Sequence, residues 1–391
     1  MKKAVELLVI FGGRSGEHEV SLRSAVSIIG AARKAGFAVT PAGIDRDGSW
    51  FAESRRDADM TTAEDLPAHV LRAGYPAALI PSPSGAKLVA VSGNRRASDG
   101  QTVENERPLA GGEGGLNVMC MPDAVFPVLH GTYGEDGTIQ GLFEMCSLPY
   151  VGPGVLGSSV AMDKIVAKRV MRDAGLEIVP FVEWRRGGSV AAAVNGSQKQ
   201  LGWPVFVKPA NMGSSVGISR ASNARELKAA LALAAQYDRK VLIEKAVDAR
   251  EIECAVLGND GALASLPGEV VPVNEFYDYE AKYLKDGSKT EVPARIPKKV
   301  ADQVRLQAVK AFEAVGCEGM ARVDFFLERG TGKLFVNELN TIPGFTSISM
   351  YPMMWKSCGL PYPKLIKRLV ELAVERFEEV SKNRTSFAPG R

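Results

Sequence analysis

A chain of 391 residues, 46% hydrophobic and 24% charged, has the composition of a globular protein with room for two or three buried cores. Its net charge of +3 is spread without a Lys/Arg run, which argues against nucleic-acid binding, and no apolar run reaches the roughly 18 residues of a membrane-spanning helix. Five cysteines, odd in number and without CxxC spacing, point to reduced thiols in a cytoplasmic protein, not to a disulfide frame or a zinc site.

The opening MKKAVELLVIFGG superficially looks like a signal peptide. Glu6 interrupts its short apolar stretch and no small-residue cleavage site follows, so Ala4–Phe11 reads as a first strand. A Gly-rich loop with Glu17 and His18, a periodic segment Val20–Lys34 ending at Gly36, and the run Phe37–Ile44 predict a βαβ start of the Rossmann type. The spacing is not GxGxxG, so a dinucleotide site is not supported. Glu17 lies at the carboxyl end of the first strand, where open α/β sheets bind ligands. Acids are also common in a helix's first turn, and the residues alone leave both readings open.

Residues 45–117 say least, and the Gly-, Ser-, Arg- and Asp-rich part from Ser82 to Leu116 reads as a long insertion. Ala124–Leu129 is a short strand running into HGTYGEDGTIQG, which places His130 at a strand end among glycines that let backbone approach a ligand. A helix is expected from about Gly157 to Ala174, carrying Lys164. The strand Trp203–Lys208 delivers Lys208 to a loop, ANMGSSVGIS, whose backbone N–H groups could cradle phosphates or simply form a Gly-Ser turn. It is not a Walker A loop, because GK[ST] and a following helix are missing. Beyond an Ala-rich helix at Asn223–Gln236, the strand from Lys240 ends in Glu244 and Lys245, and a further strand starts at Arg250. Phe276–Leu284, dense in aromatics and charges without periodicity, reads as a lid.

After a helix at Lys298–Val315 come two strands, Gly319–Glu328 and Leu334–Asn340, joined by a Gly-Thr-Gly turn. A turn centred on Thr331 sets Asp324 across from Glu338. Alternation puts Arg322 and Asp324 on one face, as it does Glu338 and Asn340. Two carboxylates and a carboxamide are hard ligands that suit Mg²⁺; a solvated face with an ordinary ion pair is the plainer alternative.

Eight stretches, in order, resemble the ATP-grasp D-alanine–D-alanine ligases: FGGRSGEHEVS at 11–21, HGTYGEDGTIQG at 130–141, MDK at 162–164, VKPANMGSSVGIS at 207–219, LIEKAV at 242–247, FYDYEAKYL at 276–284, ARVDFF at 321–326 and NELNTIPGFTS at 337–347. The resemblance implies α/β and α+β architecture in three domains: a Rossmann-like N-terminal domain over 1–152 with an insertion at about 84–118, a central ATP-grasp subdomain over 153–244, and a C-terminal ATP-grasp domain over 245–391 with a lid at about 274–290. It implies a cytoplasmic, homodimeric enzyme for peptidoglycan precursor synthesis, which phosphorylates one D-alanine with ATP and lets the amine of a second D-alanine attack the acyl phosphate.

By the same resemblance, Asp324, Glu338 and Asn340 would hold two Mg²⁺ ions, for which Mn²⁺ can substitute, and Asn340 would also serve ATP. Lys164 and Lys208 would contact phosphates under a loop of Gly213, Ser214, Ser215 and Gly217. Glu244, Lys245 and Val247 would meet adenine, and Glu251 the ribose. Glu17, aided by His130, would pair with the first ammonium; Lys282 and Ser349 would fix the second carboxylate. Arg322, facing the acyl centre and not paired to the metal ligands, would stabilise the oxyanion with the Gly344 N–H, and Ser214 with Tyr283 would latch the lid through Glu17. The alternatives are a ligase that takes D-lactate or D-serine second, another ATP-grasp ligase, or a nucleotide-binding regulatory protein. Retention of Tyr283 favours an amine acceptor, and the complete residue set argues against a dead enzyme.

Overall fold

The computed structural model describes residues 4–82, 85–91, 95–96, 102–103, 117–272 and 288–384. Lys282, Tyr283 and most of the expected lid and insertion lie outside them. Among the described residues no helix is long and apolar enough to cross a membrane.

Three main sheets follow one another along the chain. In the first, seven strands run in the order Asn117–Cys120, Lys87–Ala90, Tyr75–Ile80, Trp50–Ala52, Ala38–Ile44, Glu6–Gly12 and Ala124–Val128. Glu6–Gly12 is buried at every residue and pairs in parallel with both Ala38–Ile44 and Ala124–Val128, as its unbroken apolar run implies. The helix His18–Lys34 makes the crossover between the first two strands. The four outer strands are antiparallel additions from the uninformative stretch.

The second sheet is antiparallel, in the order Phe181–Arg185, Lys240–Lys245, Val205–Pro209 and Ser219–Ala221. Val205, Val207, Val241 and Ile243 pack with Ala193 and Val194 of one helix and Leu227 and Leu231 of another. Alternation therefore turns Lys208 and Glu244 to the opposite face.

The third sheet runs Ser288–Glu291, Gly268–Pro272, Ala249–Gly258, Gly319–Glu328 and Leu334–Asn340. Ile252, Cys254, Ala321, Val323 and Phe325 pack with Val304, Ala308 and Phe312 of the helix Lys298–Ala314. Ala161, Ala167 and Met171 join the same core, so the helices before the second sheet are packed against the third. The closing helix Tyr362–Val380 returns to the first sheet, where Leu365, Ile366 and Leu369 share a cluster with Ile28, Ile29 and Ala32.

One expected element differs. The helix at 157–174 is two helices, Val155–Met162 and Lys164–Asp173, broken at Asp163. Asp163 is extended, with ψ 97°, and its carboxylate accepts the Ile165 and Val166 N–H groups at 3.1 Å, an N-cap that starts a new helix at Lys164.

Candidate active site

The open face of the third sheet carries a row of three carboxylates, since Glu253 pairs with Asp324 and Asp324 with Glu338. In the next row Arg322 pairs with Asn340. Arg322 does not turn away from the acids as expected. It forks onto Asp324, with Nε and Nη2 each 2.7 Å from a carboxylate oxygen, and Nε is also 3.1 Å from Glu253. Two residues apart on one face of a strand, a guanidinium and a carboxylate can meet in this bidentate way. Burial opposes the charge on Arg322, but Asp324 and Glu253 outweigh it and raise its pKa well above the ordinary value. Asn340 Nδ2 donates to Asp324 at 2.9 Å. The hard oxygen donors of Asp324, Glu338 and Asn340 are gathered on one face and fit Mg²⁺ or Mn²⁺.

Three lysines and two acids join this face to the second sheet. Lys164, the first residue of its helix, places Nζ 3.3 Å from Glu338 and donates to the Met212 carbonyl at 2.9 Å. Lys208 lies 2.6 Å from Glu244, whose other oxygen is 2.6 Å from Lys168. Glu244 is only 2% exposed, and its carboxylate is held between the two lysines. Burial alone would raise its pKa; Lys168 and Lys208 reverse that and lower it. Lys245 is exposed, Val247 and Glu251 are half-buried, and Glu251 lies two residues before Glu253 on the same strand face.

At the carboxyl end of the first sheet, Gly12 crosses so close to the next strand that a Cβ would come within 2.2 Å of the Ile44 carbonyl oxygen. With φ +89°, the turn there suits glycine and brings the chain to Glu17, the residue before the first helix. Glu17, His130 and Glu135 have polar atoms within 4.8 Å of one another. His130 Nδ1 donates to the Ile342 carbonyl at 2.8 Å, and Nε2 lies 3.2 Å from the Ser24 hydroxyl. Glu135 accepts from the Gly131 and Ile342 N–H groups, both at 2.8 Å. Burial, with the nearby Glu17 charge, raises its pKa.

The loop after Lys208 reaches this cluster. Ser214 donates its hydroxyl to Glu17, as expected of the latch, and a Cβ at Gly213 would come within 2.8 Å of Glu17 Oε1. Ser214 and Ser215 are left-handed without being glycine, at φ +51° and +60°, a conformation that costs roughly 1–2 kcal/mol per residue. Ser349 accepts from the Thr346 N–H at 3.0 Å, and a Cβ on Gly344 would lie 3.3 Å from its hydroxyl, so these two expected residues are also neighbours.

Glu135, Lys168 and Glu253 were not among the expected residues. Two of them had a signal: Lys168 follows Lys164 by one helical turn, and Glu253 follows Glu251 on the same strand face. Chemically, the cleft offers a cation-binding acid cluster at one end, lysines and a backbone loop for an anion in the middle, and a hard-oxygen face beside them.

Sequence profiles of two families match: D-ala D-ala ligase N-terminus over residues 6–153 and D-ala D-ala ligase C-terminus over residues 170–371. A D-alanine–D-alanine ligase of Acetivibrio thermocellus is 46% identical over 383 residues, covering 95% of this chain and 96% of its own. A D-alanine–D-alanine ligase A of Chromobacterium violaceum is 47% identical over 370 residues, 94% of each chain. Among solved structures, the D-alanine–D-alanine ligase of Coxiella burnetii superposes with a TM-score of 0.79 at 32% identity, covering 97% of this chain and 96% of its own. A D-Ala:D-Ser ligase of Enterococcus faecalis gives 0.75 at 35% identity, covering 95% and 100%.

Proposed function

The chain belongs to the D-alanine–D-alanine ligase family, and we propose that its cleft joins two D-alanines through a D-alanyl phosphate, with ATP as the phosphate donor. The fold is ATP-grasp and the product D-alanyl-D-alanine serves peptidoglycan synthesis. One contact carries the mechanistic reading. An acyl phosphate forms only where a nucleotide's terminal phosphate meets an amino acid's carboxylate, and Ser214 joins the phosphate loop to Glu17 of the ammonium site.

Glu17 and His130 would hold the first ammonium, and Lys164, Lys208 and the Gly213–Gly217 backbone the phosphates. Buried Glu244 keeps Lys208 charged and aimed into the cleft, and Glu244, Lys245 and Val247 would meet the adenine and Glu251 the ribose. Mg²⁺ bound by Asp324, Glu338 and Asn340 would neutralise phosphate charge. The first carboxylate attacks the γ-phosphorus and ADP leaves; the second amine then attacks the acyl carbon and phosphate leaves. Ser349, with Lys282, would orient that second substrate by its carboxylate. Arg322 and the Gly344 N–H would receive the oxyanion. The fork to Asp324 uses two of the five guanidinium N–H donors, so the pairing is compatible with that task. Closure of Tyr283 and Ser214 over Glu17 would exclude water.

We extend the reading to three domains divided near residues 152 and 244, and to a cytoplasmic homodimer; all five cysteines are free thiols, in keeping with a reducing compartment. Phosphate release by the pure protein tests the activity: it is expected to need Mg²⁺, ATP and D-alanine, and not to occur with L-alanine. Release without dependence on D-alanine would sink the reading.

A further inference from the structure

Lys168 is 1% exposed, and its ammonium meets two separate elements. It stands 2.6 Å from Glu244 on the second sheet and donates to the Asn337 carbonyl of the third at 3.1 Å. Both acceptors adjoin groups that face the cleft. Glu244 holds Lys208, and Asn337 is the extra residue of the bulge that precedes Glu338. Lys164, one helical turn earlier on the same helix face, reaches the front of Glu338.

Resting on the nucleotide-cleft reading above, we infer that Lys168 is a positioning residue for the reaction, one that sets the phosphate-facing Lys208 and the carboxylate Glu338 in mutual register from behind. Lysine is almost never fully buried unless paired, and a buried charge is retained where its partners need it. An ammonium has three donors around a point charge, which lets it serve a carboxylate and a carbonyl at once. A methionine could fill the same space without linking the two sheets. The link matters because phosphoryl transfer depends on placing the phosphate-binding cation and the hard-oxygen face relative to each other.

The test uses the full chain with Lys168→Met and Lys168→Gln. ADP affinity is measured by calorimetry without D-alanine, and the Mg²⁺ requirement, KM for ATP and KM for D-alanine by phosphate release. Lys168→Met is expected to weaken ADP by about tenfold and raise the Mg²⁺ requirement, leaving KM for D-alanine within about twofold. Lys168→Gln keeps an N–H donor for Asn337 without the charge, so it is expected to restore the Mg²⁺ requirement more than the ADP affinity. It also carries the test should the methionine variant fail to fold. Folded variants with native ADP affinity and Mg²⁺ requirement would overturn the inference. So would equal damage to every parameter, or failure of both variants to fold, since each marks a purely structural lysine. Wild-type protein that binds no ADP would instead overturn the nucleotide reading itself.

Discussion

Asp324 stands directly across the hairpin from Glu338 because the second strand carries one extra residue, Asn337. Nearer the turn, Leu327 pairs with Leu334 and Phe325 with Val336, a register that would otherwise set Asn337 opposite Asp324. The bulge also switches faces: Leu334 and Val336 point into the core, as does Leu339, leaving Glu338 and Asn340 on the cleft side. Glu338→Gln keeps shape and register while removing the charge. It is expected to slow turnover by about 100-fold, on the order of 2.7 kcal/mol of transition-state stabilisation, and to leave the melting temperature nearly unchanged. A near-normal kcat would remove Glu338 from the metal-binding set.

The Arg322–Asp324 fork gives a second outcome. Lysine is a point charge and cannot reproduce two parallel N–H donors at 2.7 Å. Arg322→Lys is therefore expected to loosen Asp324 and raise the Mg²⁺ concentration needed for half-maximal phosphate release, alongside a lower kcat. A variant that loses kcat at an unchanged Mg²⁺ requirement would mean that Arg322 serves the oxyanion alone.

Glu135 supplies a pH signature. Burial and Glu17 raise its pKa in the folded protein above the ordinary carboxylate value of 4.5. A carboxyl shifted in that direction favours the fold fully only below the unfolded value, and that contribution is lost as pH rises through the folded value. Glu135→Gln cannot ionise. The difference in melting temperature, variant minus wild type, is therefore expected to be more positive at about pH 8 than at about pH 5. Parallel curves at the two pH values would show that Glu135 keeps one protonation state throughout. Comparing the difference between pH values separates this effect from the acceptor capacity lost toward Gly131 and Ile342.

Much of the site could be read from the chain because its residues are local in kind. The strand ending in Lys208 and the first βαβ unit rest on alternation and short-range signals, whereas the Asp324–Glu338 pair, expected from a turn centred on Thr331, is met through the Asn337 bulge and not through the turn. The Arg322 pairing, the burial of Glu244 and the Lys168 bridge depend on which elements the tertiary fold brings together, and no local period encodes that. Asp163 shows the intermediate case: the periodicity ran on from 157 to 174, but an aspartate before a helical turn is also an N-cap, and the cap prevailed. Short antiparallel strands such as Trp50–Ala52 were hidden by turn-rich composition.

Tyr283 lies outside the described residues, and the part proposed for it in closing over Glu17 is tested through the acceptor. A phenol that hydrogen-bonds within the closed site helps to discriminate an amine from a hydroxyl at the second substrate. Tyr283→Phe is expected to lower the preference for D-alanine over D-lactate, read as the ratio of kcat/KM values, with D-serine as a second amine acceptor for comparison. An unchanged ratio would leave the tyrosine without a part in acceptor choice.

Ser214 lets backbone strain be separated from hydrogen bonding. Its left-handed backbone, φ +51°, holds the hydroxyl against Glu17, and a glycine there would relieve the penalty that a Cβ imposes. Ser214→Ala keeps the Cβ and loses only the hydroxyl; Ser214→Gly loses both. The glycine variant is expected to be more stable than the alanine variant by about 1 kcal/mol in the folded state, offset in part by the greater freedom of glycine in the unfolded chain. Both are expected to raise KM for the first D-alanine, because Glu17 loses the same donor in each. If KM rose for alanine but not for glycine, the hydroxyl would not be the relevant group, and the contact between the loop and Glu17 would act through backbone placement at Gly213.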